Sequence, residues 1–357
     1  MINLDDKKNY QLNTDQQPVL QSIKSYPLQL KQAFEEILRI NLPEKFYWPK
    51  KILVCGMGGS RFPSLIIKNL FKESFTGVYE INDDYRLPGW VNKDTLVVLS
   101  SYSGTTEEVI NAYHLAKKSK AVVFSISLGG ELKRLSEENG DLGYFFNPIF
   151  NPSKQPRIGV GYLLGSHLGL LVKLNFIKNK KDEFYAAFEK AKHYLKKLMM
   201  EIPLKDNPAK KLAKTVFNRY PNYVVSEFLT GIGNALANQT NETAKSIASF
   251  WVIPELNHHL MEGLKNPSSF SSNAIFIFFY SSLYNQRIKK RLRITKEVID
   301  KYQIKNLWFE VEGETPLCQV INLIGFSSFY SFYLSVLYQE NPAIIPFVDY
   351  FKKRLKE

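Results

Sequence analysis

Short apolar runs alternate with segments whose apolar residues recur at helical spacing. In the first 44 residues, Leu28, Leu30, Phe34, Ile37 and Leu38 define helical faces, and Pro43 ends the run. KILVCG at 51–56 then predicts a short buried strand. GVYEI at 77–81, TLVVLSS at 95–101 and AVVFSI at 121–126 predict three more, with helices over 60–71 and 105–118. Strands alternating with helices build a parallel sheet covered on both faces. Residues 157–201 read as mostly helical, and Pro203 and Pro208 mark a boundary. The second half repeats the rhythm less clearly, with strands at 223–228, 274–280 and 306–312. The pattern predicts an α/β protein with a helical segment over 1–44 and two related domains, over 45–202 and 203–357. Ligands of such folds sit at the carboxyl ends of the strands.

One stretch, 315–339, carries no charge and is long enough to span a bilayer. It also holds Asn322, Ser327, Ser328, Ser331, Ser335 and three tyrosines, so a helix buried between domains or subunits is expected, not a membrane span. With 47 basic and 34 acidic residues in 357, the formal charge is +13. The lysines are scattered in short runs among acidic residues or at helix ends, and no DNA- or RNA-binding motif is present. A solvated basic surface follows, without a nucleic-acid partner, and with a modest pull on anionic substrates. Two cysteines, Cys55 and Cys318, cannot build a disulfide framework or a four-thiolate zinc site. They fit a reducing compartment, and the polar N-terminus lacks an apolar signal core, so a cytoplasmic protein is expected.

Candidate chemistry begins at Gly56-Met57-Gly58-Gly59-Ser60, directly after a strand and before a helix. Glycines let the backbone turn tightly against a ligand, and the helix start offers unpaired N–H groups. A dinucleotide site is the rival reading. Its fingerprint wants glycine where Arg61 stands, but Glu80, ending the next strand, suits a ribose, so this motif alone leaves both open. The second turn decides. Ser100-Ser101-Tyr102-Ser103-Gly104-Thr105-Thr106-Glu107 also joins a strand to a helix and carries more hydroxyls than capping needs. That cluster suits an anion with several oxygens. Without a P-loop lysine, it fits a phosphate already attached to its substrate. The two motifs together resemble the sugar isomerase (SIS) domain, which binds phosphosugars.

In the second half, Asn238-Gln239-Thr240-Asn241-Glu242-Thr243-Ala244-Lys245 precedes Pro254-Glu255-Leu256-Asn257-His258-His259. With Gln155-Pro156-Arg157 and a C-terminal Lys–x–x–Leu, these segments resemble the archaeal-type bifunctional phosphoglucose/phosphomannose isomerases from about residue 50 onward. The resemblance implies two SIS subdomains, each a parallel sheet flanked by helices, in a homodimer with a shared active site. It makes Glu242 the base, His258 the ring-opening residue delivered by the neighbouring subunit, Arg157 the enediolate stabiliser and Lys352 the C-terminal lysine of the site. Gly58, Gly59, Ser60, Ser101, Ser103 and Thr106 would bind the phosphate of a hexose phosphate. The chemistry suits these residue types. Aldose–ketose isomerisation moves one proton between adjacent carbons, which is general acid–base work. A histidine can shuttle a proton near neutral pH, and a guanidinium can stabilise an anionic enediolate. No metal or nicotinamide is needed. His258 and His259 point to different helix faces, and no HExxH spacing occurs.

Two positions depart from the family pattern. His259 stands where the family has Asn, and Ala343-Ile344-Ile345 after Pro342 is apolar where the family commonly has Thr. Glucose 6-phosphate use is therefore expected ahead of mannose 6-phosphate use. The competing readings are a non-catalytic phosphosugar sensor and an isomerase of another phosphosugar. A sensor has no need of Glu242, His258 and Lys352 together. Finally, 345–356 predicts an amphipathic helix with an apolar stripe of Phe347, Val348, Phe351 and Leu355. Lys352 borders that stripe and Lys353 is turned a further step of about 100°, so the helix is expected to close the site with Lys352 at its rim.

Overall fold

The computed structural model describes residues 2–10, 15–355 and 357. Met1 and 11–14 of the predicted N-terminal helical segment, and Lys356 of the predicted C-terminal helix, lie outside the described residues. The first sheet contains β1 (Lys51–Cys55), β2 (Val78–Asn82), β3 (Thr95–Ser100), β4 (Val122–Ser127) and β5 (Leu142–Phe145). Its order is β2-β1-β3-β4-β5, and every pairing is parallel. The second contains β6 (Tyr220–Ser226), β7 (Ser249–Ile253), β8 (Ala274–Tyr280) and β9 (Lys305–Glu310), ordered β7-β6-β8-β9 and also parallel.

The strands read from sequence are mostly the interior ones. All six residues of β3 are buried, and six of seven in β8. Strands covered on both faces need uninterrupted apolar runs, which makes them conspicuous. Two edge strands escaped that reading. β5 is LGYF, with one buried residue in four, and β7 is SFWVI, with one in five. β6 starts at Tyr220, earlier than its apolar pattern suggests, because Pro221 hides the beginning. That proline lies where only β8 pairs with the strand.

The helix Tyr26–Arg39 lies against Val160–Lys173 at very close range. Gly161, Gly165 and Gly169 form the contact stripe. A methyl group at Gly165 would come within 2.4 Å of the Leu30 carbonyl oxygen, so only glycine lets the two backbones meet. The N-terminal helix thereby braces the helix that follows Arg157.

The uncharged stretch forms one helix, Pro316–Tyr338, with every residue from Leu317 to Leu337 buried. Its length and apolarity would suit a membrane span. It is covered instead by the chain's own helices Lys181–Leu195, Pro208–Val216 and Thr230–Ala244. No second subunit is needed to bury it, which removes one ground for expecting a dimer. Its polar side chains are paired inside the fold, apart from the Asn322 amide oxygen. Ser327 donates to Gln239, Gln239 donates to Ser328, and the Tyr330 and Tyr223 hydroxyls meet at 2.8 Å. Such pairing is what makes a polar face tolerable in a core.

Candidate active site

The connections leaving β1 and β3 run to opposite sides of the first sheet. A crevice therefore opens between their carboxyl ends, the usual ligand position in a doubly wound sheet. Both candidate phosphate turns stand there. Gly58–Ser60 forms a short 3-10 turn before the helix Phe62–Leu70, and 101–106 leads into Glu107–Lys118. The turns are tied together: the Tyr102 backbone N–H donates to Ser60 Oγ at 2.9 Å. Ser101 Oγ lies 2.8 Å from Thr106 Oγ1 and accepts the Gly104 N–H at 3.0 Å. Ser103 is exposed, and its hydroxyl accepts the Thr105 N–H at 3.3 Å. Gly104 has φ +72°, and a Cβ there would sit 1.9 Å from the Gly129 carbonyl oxygen. The turn thus packs on a third loop, 127–130, which the motif reading missed.

The rival dinucleotide reading loses its acidic residue here. Glu80 is engaged by Lys68 Nζ at 2.6 Å, and Arg61 pairs with Asp83 at 2.7 Å. The second sheet has the same strand order but a different filling. Beyond β6, Glu227 (φ +44°) accepts the Asn285 backbone N–H and side-chain amide ahead of the helix Gln286–Lys301. A carboxylate of the chain already occupies that helix start.

The candidate base and its cation face each other beside the first crevice. Gly59 is in close contact with the Arg157 backbone; a Cβ on it would meet the Arg157 nitrogen at 3.3 Å. Arg157 is 1% exposed, and its Nη1 stands 3.8 Å from Glu242 Oε2, a side chain 31% exposed. The guanidinium also donates to Thr243 Oγ1 at 3.3 Å, Gln155 Oε1 at 3.0 Å and the carbonyls of Pro342 and Ala343. Gln239 donates to the Arg157 carbonyl at 3.0 Å. Burial lowers the guanidinium pKa, while the charges of Glu242 and Asp349 pull it back up. Burial raises the Glu242 carboxyl above its ordinary value, and Arg157, Lys245 and Lys352 oppose the rise. A half-buried carboxylate held between those effects is suited to accept and return a proton.

Lys245 belongs to this group, although the sequence reading gave it no role. It caps Thr230–Ala244 in the left-handed conformation, and its Nζ donates to the Glu242 carbonyl at 2.7 Å. Burial, then the like charge of Arg157, bring its pKa down to about 8. Gln155 and Asp349 are further members. The only sequence signals were the place of Lys245 in the Asn–Glu–Thr–Ala–Lys segment and of Gln155 two residues before Arg157.

His258 stands apart. It is exposed on the short helix Leu256–His259 beyond β7 and lines a separate cleft of about 470 Å³ with Arg287, Lys290 and Arg291. Among the described residues no hydrogen bond or ion pair joins it to Glu242 or Arg157. Neighbouring His259 packs its ring 5.9 Å from Trp251. The C-terminal helix forms over Pro346–Arg354 and brings the charge of Lys352 to bear on Glu242. Its apolar stripe is not buried, however; Phe347 is 87% exposed, and no residue of the helix is covered. Within this chain the helix therefore does not close the site by burying that stripe.

Comparison with known proteins places the chain in one family. Residues 205–355 match the bacterial phospho-glucose isomerase C-terminal SIS domain. The chain is 30% identical to a bifunctional phosphoglucose/phosphomannose isomerase of Caldicellulosiruptor bescii over 349 residues, covering 95% of this chain and 99% of the relative. It is 28% identical to the enzyme of the same name from Aquifex aeolicus, covering 86% and 91%. The crystal structure of a hypothetical protein from Thermus thermophilus shares the fold with a TM-score of 0.75 at 16% identity, covering 95% of this chain and 90% of that one. With its two parallel sheets flanked by helices, the chain belongs to the bifunctional phosphoglucose/phosphomannose isomerase family of SIS-fold proteins.

Proposed function

We propose that the protein interconverts glucose 6-phosphate, and mannose 6-phosphate less readily, with fructose 6-phosphate. The observation that carries this reading is the pair of buried Arg157 and half-buried Glu242 set directly against the phosphate turns through Gly59. In this reading the backbone of Gly58 and Gly59 and the hydroxyls of Ser60, Ser101, Ser103 and Thr106 hold the substrate phosphate. Glu242 removes the proton from one carbon of the open-chain sugar and returns it to its neighbour. Arg157 stabilises the enediolate formed between those steps. The transfer is redox-neutral within the substrate, so its atom balance calls for no nicotinamide. Lys352 contacts the substrate oxygens or assists ring opening.

A homodimer with shared sites completes the arrangement. The separation of His258 from Glu242 within one chain supports its delivery across a subunit boundary, as does the uncovered stripe on Pro346–Arg354 beside the site. The subdomain limits follow the sheets: a helical segment over 1–44, a phosphate-binding subdomain over 45–202 and a second over 203–357. A cytosolic setting suits the two reduced cysteines. Ala343 offers no side-chain hydroxyl to the pocket, which supports the preference for the glucose epimer. The test is a coupled assay on fructose 6-phosphate that scores glucose and mannose products separately. Absence of both products would overturn the reading.

A further inference from the structure

The buried polar residues behind the phosphate turns have no part in the proton transfer, yet they are connected to each other. His167, in the helix Val160–Lys173, is fully buried, with its Nε2 3.0 Å from Ser100 Oγ. Ser100, the last residue of β3, is also fully buried, and its hydroxyl reaches the Ser60 carbonyl at 3.4 Å. Ser60 Oγ in turn takes the Tyr102 backbone N–H at 2.9 Å.

The direction of each bond follows from what each atom can do. A carbonyl oxygen only accepts, so Ser100 spends its one hydroxyl hydrogen on Ser60. With that hydrogen directed at the Ser60 carbonyl, the imidazole donates to Ser100 from Nε2, and this is the tautomer assigned to the ring. Burial brings the pKa of His167 down to about 3, which favours the neutral ring near pH 7. A backbone N–H only donates, so Ser60 Oγ is an acceptor towards Tyr102. The hydrogen of the Ser60 hydroxyl is thereby left for the crevice, where the Gly58–Ser60 turn opens.

We propose that His167 and Ser100 are positioning residues that orient the Ser60 turn so that its hydroxyl donates to the bound phosphate. The inference rests on the reading of these turns as the phosphate site. It accounts for a fully buried, uncharged histidine directly behind an anion site: a neutral donor orients the turn without adding a charge that would have to be desolvated.

The test uses the full chain, inorganic phosphate as calorimetric probe and fructose 6-phosphate as substrate. Ser100→Ala removes the relay with minimal change of volume, and His167→Asn is its companion. The matched control is Ser136→Ala, which deletes a buried hydroxyl bonded to Ser125 Oγ at 2.8 Å and to the Leu132 carbonyl, but to no residue of the phosphate turns. Ser100→Ala should weaken phosphate binding about tenfold, the loss expected for one misdirected charge-assisted hydrogen bond. KM should rise by more than kcat falls. Ser60→Ala should cost less in the Ser100→Ala background than in the wild type, because the two act as one unit. Ser136→Ala should bind phosphate as the wild type does. Wild-type affinity in Ser100→Ala, or equal weakening in Ser136→Ala, would overturn the relay alone. A wild-type protein that binds no phosphate would overturn the phosphate reading, and the relay with it.

Discussion

Replacing Arg157 by lysine keeps the positive charge and removes the planar fork of donors. The guanidinium serves Gln155 Oε1, Thr243 Oγ1 and the carbonyls of Pro342 and Ala343, and it faces Glu242. One ammonium cannot reach both carbonyls and the carboxylate. At about 1–3 kcal/mol for each buried acceptor left without a donor, losing two gives about 2–6 kcal/mol. Set against a typical total of about 5–15 kcal/mol, the variant should fold but with a clearly lowered urea midpoint. Catalysis should suffer separately. Loss of a donor aimed at developing negative charge costs about 10²–10³ in kcat. The pH profile carries a third sign. Burial already raises the Glu242 carboxyl, and Arg157 is the first cation opposing that rise. The shorter lysine keeps the charge but, drawn to the carbonyls, holds it farther from Glu242, so the opposition weakens, the carboxyl should rise further, and its base form is lost at a higher pH as acid is added. The acidic limb of kcat/KM should move to higher pH. Urea unfolding and a coupled isomerase assay across pH measure all three effects. A stability loss under about 0.5 kcal/mol, the range of an ordinary surface substitution, with an unmoved acidic limb, would refute the account of this arginine.

Three further outcomes are expected. Glu242→Gln keeps size but cannot act as a base; turnover should fall at least about 10²-fold while substrate still binds, and hydrogen exchange between substrate and heavy water should fall with it. Wild-type exchange would assign the proton transfer to another residue. Mixing Glu242→Gln with His258→Ala and allowing subunit exchange should restore activity, because mixed dimers contain one intact shared site; a monomer by sedimentation would end that idea. Lys352→Ala should lose activity and Lys353→Ala should stay close to wild type, since Lys352 is the one whose charge acts on Glu242. Equal activity in the two would make the basic cluster a solvated helix end.

What could be read in advance follows from apolar runs, which burial favours but does not require, since the edge strands β2 and β9 were legible although little of either is buried. β1, β3, β4 and β8 announced themselves because both their faces are covered. β5 and β7, half-buried at sheet edges, left no comparable run. The phosphate turns were legible because glycine and hydroxyl residues cluster between a strand and a helix, a local signal. The Arg157 cluster is not local. The hydrogen-bond partners of Arg157 lie up to 186 positions away, and no period or spacing relates it to Ala343. Only the resemblance to a known family could place Arg157, and it gave no role to Lys245 or His167. The stripe on Pro346–Arg354 shows the other limit. Helical spacing says which face is apolar, but whether anything covers that face depends on neighbours the segment itself does not encode.

The long-range tether of Arg157 also bears on how the protein is made. A ribosome adds about 5–20 residues per second, so Arg157 precedes Ala343 by roughly 10–40 seconds of synthesis. During that interval the first sheet and its phosphate turns can form, while the arginine still lacks the two carbonyls that enclose it. Nascent chains should therefore hold this cation in water and leave Glu242 without its finished environment. Translation that stalls short of residue 343 would release a chain with assembled turns and no competent centre.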